Sequence, residues 1–316
     1  MLIDNFTPGQ GVISVPCQGK QTIEAGHKLY FLPAPVCLHR ASYFYRFRPG
    51  FLTGITFPTT GPAMKNDIAL CLAQVCKLKG LTRLDLVNCA DVSDEVLPSI
   101  DNCPDLTDLA LNANFFTVKN LAKTKIINRL NTLTYTYADL DIAETVLKTE
   151  EWDKKHEGRH RGEHHRRNGK GHHDGDWEHH DGDFGDHDEW DKHKTLDQEI
   201  TPLLEALAKS PNLTWLEMPN VPLHPKDVET LSQIKNLQVI DLSNSNIMDA
   251  NVETLSKMPN LVVFHVDNCV IDAGAIPAFK KMASHSLKFI YMRSIFMNQE
   301  TVKLYRKELP GVQINQ

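Results

Sequence analysis

Apolar residues recur along this chain in the order L-x-x-L-x-L, first at Leu81, Leu84 and Leu86, then at Leu106, Leu109 and Leu111, and again at Leu130, Leu133 and Tyr135. After a gap the spacing returns at Leu213, Leu216 and Met218, at Leu237, Ile240 and Leu242, at Leu261, Phe264 and Val266, and at Leu287, Ile290 and Met292. Weaker flanking matches stand at Leu52, Ile55 and Phe57 and at Leu309, Val312 and Ile314. Among the seven full matches the motif restarts after 24 to 26 residues on either side of the gap, and a fixed period of this size marks a solenoid of stacked units. Alternation inside the motif predicts a short strand with its three apolar side chains inward. The segments between motifs carry helical spacing instead, as in Val228, Leu231 and Ile234 or Val252, Leu255 and Met258. Asp227 and Asp249 are the expected helix N-caps, and Pro104, Pro211 and Pro259 fall where each helix must have ended before the next strand.

The motif resembles the leucine-rich-repeat family, most closely its cysteine-bearing subtype, and the stretch LTRLDLVNCADVSDEVLPSIDNCPDLTDLAL carries the likeness best. The resemblance covers roughly Leu52 to Ile314 outside the gap. It implies an α/β solenoid with a curved parallel sheet on the concave face, helices on the convex face, and protein partners. The family places Asn or Cys at the ninth position of each repeat, where the side chain bonds the backbone as it leaves the strand. Cys89, Asn114 and Cys269 fit; Ala138, Val221, Ser245 and Ile295 do not, and looser turns are expected there. A single repeat cannot bury its own apolar face, so the end units need caps. Residues 1–50, with Tyr30, Phe31, Tyr43, Phe44, Tyr45 and Phe47, form the candidate N-terminal cap. Residues 51–150 and 196–316 form the two halves of the array, and 151–195 an insertion between them.

Periodicity vanishes from Glu151 to His193, where thirteen acids face eight bases and ten of the fifteen histidines lie. The segment has too few apolar residues to offset its ordering entropy, and is expected to be disordered when unliganded. Two heptads repeat in tandem, HHDGDWE from His172 and HHDGDFG from His179. Adjacent imidazoles and carboxylates suit zinc, nickel or copper, which makes His172, His173, Asp174, Asp176, His179, His180, Asp181, Asp183 and His187 the candidate ligands. A solvated tether produced by repeat expansion is the competing reading. No cofactor is required by the rest of the chain.

Charge changes the picture only locally: the formal total is −6, and the insertion's balance of −5 leaves the remainder near neutral, with no basic surface to call for nucleic acid. No apolar run is long enough to span a membrane. Seven cysteines without framework spacing point to a reducing, intracellular and most simply cytoplasmic location, with an organelle as the alternative if a presequence has been removed. Cys71 and Cys76 read as small buried hydrophobes, and His265 as an ordinary strand residue. No nucleophile, phosphate loop or metalloprotease motif is present, so a non-catalytic scaffold is expected, acting as a subunit or assembly factor of a larger complex. Its outward positions can be read from the alternation. The third motif positions give an apolar stripe, Trp215, Val239, Val263 and Phe289, and the fifth a polar one, Glu217, Asp241, His265 and Tyr291. Together they form the candidate partner-binding face. The oligomeric state is left open.

Overall fold

The computed structural model describes residues 2–4, 13–14, 28–60, 64–89, 92–138, 199–293 and 298–316. The insertion, with all nine candidate metal ligands, lies outside the described residues. The remainder forms one sheet. Its parallel strands are β3 (Lys28–Phe31), β4 (Gly54–Thr56), β5 (Arg83–Asp85), β6 (Asp108–Asn112), β7 (Thr132–Thr136), β8 (Trp215–Glu217), β9 (Val239–Asp241), β10 (Val263–His265), β11 (Phe289–Tyr291) and β12 (Gln313–Asn315), each beside the next in chain order. Two further strands, β1 (Leu2–Asp4) and β2 (Ile13–Ser14), extend the β3 edge antiparallel. With a return segment between successive parallel strands this is a leucine-rich-repeat solenoid, as the motif spacing predicts. The expected first strand at Leu52–Phe57 is preceded by β3, whose Tyr30 aligns with Gly54. Gly54 is the residue that allows this, since a Cβ there would stand 2.6 Å from Cδ1 of Tyr30.

The array is continuous across the insertion: Thr132, Leu133 and Thr134 of β7 align with Trp215, Leu216 and Glu217 of β8. Every inward motif residue from Leu81 through Met292 is buried. The return helices close the other side of that core. They include α1 (Pro35–Leu38), α2 (Lys65–Val75), α3 (Leu97–Asp101), α4 (Val118–Leu121), α5 (Thr201–Leu207), α6 (Pro225–Leu231), α7 (Asp249–Leu255), α8 (Ile276–His285) and α9 (Gln299–Glu308). Val228, Leu231 and Ile234, like Val252, Leu255 and Met258, are buried as their spacing requires. Cys71 and Cys76 are buried too, and burial pushes the Cys71 thiol up to about 11. At the β3 end, Phe31, Phe44, Phe47 and Phe57 pack edge-on and stacked with centroids 5.1 to 6.4 Å apart, while Tyr45 is exposed.

The caps correct the sequence reading. His224, not Asp227, is the N-cap of α6; Asp227 is the third helical residue and its Oδ2 accepts the His224 backbone N–H at 2.8 Å. Asp249 is the first residue of α7, after the N-cap Met248, and its Oδ1 accepts the N–H of Asp272 from the next repeat. In both cases the carboxylate sits within the first turn, where the helix dipole favours it, but bonds a donor other than the one a cap would satisfy.

The turns leaving the strands are tighter than the ninth positions imply. Cys269 donates to the Leu242 carbonyl at 3.2 Å, and Ser245, outside the consensus, donates to the same carbonyl. The Ala138 carbonyl accepts from Asn114 at 3.0 Å and from the fully buried Asn112 at 3.3 Å. Val221 simply packs, buried. Ile295 lies outside the described residues. The decisive residues stand one place earlier: Asn220, Asn244 and Asn268 occupy the eighth position of successive repeats with φ of 64°, 58° and 57°. Their N–H groups reach Ser243, Asp267 and Arg293 in the following repeat at 2.7 to 2.9 Å, and Asn268 donates to the Asn244 side chain. Asparagine tolerates this left-handed backbone better than other residues bearing a Cβ. Asn244→Ala is therefore expected to lower stability by about 1–2 kcal/mol, with Asn244→Gly recovering the backbone share, as read by urea denaturation. Equal losses in the two variants would remove backbone conformation as the cause.

Candidate functional site

The register of the sheet places every third and fifth motif residue on the face away from the core. Trp215, Val239, Val263 and Phe289 align strand to strand in one row, and Glu217, Asp241, His265 and Tyr291 in the next. Their inward neighbours Leu216, Ile240, Phe264 and Ile290 are buried without exception. Neighbouring strands stand about 4.8 Å apart, so each row is a run of side chains in contact range. The first row is less open than alternation alone suggests: Trp215 is 42% exposed, whereas Val239, Val263 and Phe289 are half-buried. Adjacent side chains of the outward rows cover one another, which the period-two pattern does not report.

Within the second row, specific contacts replace the uniform polar stripe. The Trp215 indole N–H donates to Glu217 Oε1 at 2.8 Å, and the Thr134 hydroxyl donates to Oε2 at 2.6 Å. Glu217 is thus held from both oxygens, and it ties the apolar row to the polar one. The Oδ1 of Asp241 accepts the Ser243 N–H at 2.8 Å, a turn bond repeated where Asp85 accepts from Val87 at 3.1 Å. His265 and Tyr291 stack face to face, with centroids 4.1 Å apart and planes 5° from parallel. Thr134 was not among the expected site residues. It occupies the same fifth position as Glu217, one strand earlier, so the signal was present in the register.

Toward β5 the face becomes mixed in charge. Arg83 and Asp108 align on neighbouring strands, followed by Thr132. Asp85 is half-buried, and burial holds its carboxyl above the ordinary range, with Glu217 adding in the same direction while Arg83 and the Val87 N–H oppose it. Toward β11, Arg293 pairs with Asp267 at 3.3 Å. Among the described residues no group of three or more His, Cys, Asp or Glu side chains is arranged to hold a metal ion. No helix among them is long and apolar enough to cross a membrane. The face therefore offers an ordered surface of aromatic, aliphatic and carboxylate groups.

No protein-family model matches the chain, so its likeness to the cysteine-bearing subtype rests on the motif residues alone. No curated protein matches it either. Among solved structures it is similar to an internalin of Listeria monocytogenes, at 13% identity and TM-score 0.38, covering 84% of this chain and 68% of that one. It is also similar to a leucine-rich-repeat protein of Leptospira interrogans, at 11% identity and TM-score 0.40, covering 84% of this chain and about half of the other, 55%. Human 5T4, a trophoblast glycoprotein, aligns at 12% identity and TM-score 0.46, with 84% and 79% covered. Scores at this level leave the fold resting on the repeat geometry itself.

Proposed function

We propose that this chain is a non-catalytic protein-binding scaffold, a subunit or assembly factor of a larger complex, whose partner lies along the outward face of β8 to β11. The supporting observation is the register-aligned row from Trp215 to Phe289, with an exposed indole fixed by Glu217 at one end. An exposed tryptophan is among the commonest interface anchors, and a fixed side chain loses less entropy when a partner covers it. Trp215→Ala and Phe289→Ala are each expected to weaken partner binding by about 2 kcal/mol or more, while a single rim charge such as Glu217 contributes less than about 1 kcal/mol. The variants should keep the fold, because surface substitutions usually change stability by about 0.5 kcal/mol or less. Affinity titration of a co-purified partner beside circular dichroism is the measurement, and full affinity in both variants would remove the face from consideration.

A second activity rests on sequence alone. The tandem HHDGD heptads support metal handling through several weak sites for zinc, nickel or copper. Uptake should fade as the imidazoles protonate below about 6.5. Calorimetric titration of the full chain and of a variant with His172, His173, His179 and His180 replaced by Ser is expected to differ by most of the bound metal. Equal uptake would exclude the heptads.

A further inference from the structure

Glu217 and Asp241 lie directly opposite one another on the parallel strands β8 and β9. Like charges at opposed sheet positions repel, and sequences ordinarily separate or compensate them. Among the described residues neither carboxylate has a cation within salt-bridge distance, although six pairs of Lys or Arg with a carboxylate form elsewhere among them. One oxygen of Asp241 is taken by the Ser243 N–H, which leaves Oδ2 without a described hydrogen-bond partner. Both oxygens of Glu217 already accept one bond each, and each retains a further acceptor site. The carboxylate is thereby oriented before any ligand arrives. Beside it stands the exposed Trp215 ring, and an indole is the aromatic surface that attracts cations most strongly. His265 is aligned with Asp241 on the other side but lies outside salt-bridge distance and stacks on Tyr291, so two aligned carboxylates without a described ion pair, next to an oriented indole, match the chemistry of a guanidinium or ammonium group.

Building on the sheet-face reading above, we propose that Trp215, Glu217 and Asp241 form a receptor for an arginine or lysine side chain of the protein partner, with the Val239, Val263 and Phe289 row taking the apolar residues that flank it. Arginine suits the site better than lysine, because its planar fork can bond two carboxylate oxygens while lying on an aromatic face. The cation removes the repulsion between Glu217 and Asp241, so specificity comes from charge while most of the affinity comes from the apolar row.

The test uses the full chain and two end-capped synthetic peptides with the same leucine and glycine positions, one carrying arginine and the other glutamate at the remaining positions. At low salt the arginine peptide should bind about tenfold more tightly, the scale of two or three part-exposed ion pairs. The Glu217→Gln/Asp241→Asn variant keeps amide groups able to bond Trp215, Thr134 and Ser243, and should reduce that preference to about twofold. Glu217→Gln alone, measured beside it, should remove roughly half of the preference on a logarithmic scale. Salt at 1 M, where screening acts over about 3 Å, should have the same effect on the parent chain. Absence of measurable arginine-peptide binding, equal binding of the two peptides, or an arginine preference that survives the double variant would overturn the cation receptor. Self-association of the chain that disappears in the double variant would also overturn it, by assigning the face to a second copy. Indifference of both peptides to Trp215→Ala and Phe289→Ala would instead overturn the sheet-face reading itself.

Discussion

Phe264→Ala is expected to destabilise the chain by about 3–5 kcal/mol, the range for deleting a fully buried aromatic side chain. Phe264 is the central inward residue of β10 and has no exposed surface. Its ring lies 6.1 Å from Phe279 of α8, which in turn lies 5.8 Å, edge-on, from Tyr305 of α9. Phe264 and Phe279 belong to one repeat and Tyr305 to the next, and Tyr305 closes the run by donating to the Asp272 carbonyl at 2.6 Å. Removing the first ring leaves a void that strand and helix can close only by disturbing the next unit. Phe264→Leu keeps most of the volume and should cost less than about 1.5 kcal/mol. Because each repeat contacts only its neighbours, the loss should appear as earlier unfolding of the β10 to β12 end. Urea denaturation with hydrogen exchange resolved along the chain measures both effects. A loss below about 1 kcal/mol in the alanine variant would contradict the core position of this ring.

Asp227→Ala is expected to cost about 2–3 kcal/mol, from loss of hydrogen bonds to a charged group and from the buried donor left behind. Asp227 is only 1% exposed, an unusual place for a carboxylate. Its Oδ2 accepts the His224 N–H at 2.8 Å and stands 3.3 Å from the His224 ring, and its Oδ1 accepts the hydroxyl of Thr201. Thr201 opens α5, the first helix after the insertion, and is itself buried. From the third position of α6 the carboxylate therefore holds the N-cap residue His224 and pins the start of α5 at once. Asp227→Asn retains an acceptor for the His224 N–H and a group able to bond Thr201, and should lose about half as much. A double-mutant cycle of Asp227→Ala with Thr201→Val should give a coupling of about 1 kcal/mol or more. Additive losses would mean that the two side chains do not act together.

The repeats, their period and the inward residues were legible in the sequence because side-chain burial on a strand has a period of two, and a leucine at a fixed place cannot be buried in any other register. The same regularity gave the outward rows, so Trp215, Val239, Val263 and Phe289 could be aligned from spacing alone. It also gave the adjacency of β7 and β8, since an array interrupted by a long segment without apolar period has nothing else to stack on. The hydrogen-bond partners were not legible. Asp227 and Asp249 looked like N-caps because sequence records only that an acid precedes an apolar run, whereas the donor it meets depends on where the neighbouring helix lies. The asparagines at the eighth positions act through a backbone angle, which a consensus of side-chain types does not express. For Thr134 and Glu217 the register aligns the two positions, but the hydrogen bond between them is seen only in the structure. The sequence determined the repeat and its facing; the tertiary structure decided which polar groups meet, because the strands that bring them together are separated by a whole repeat or more of chain.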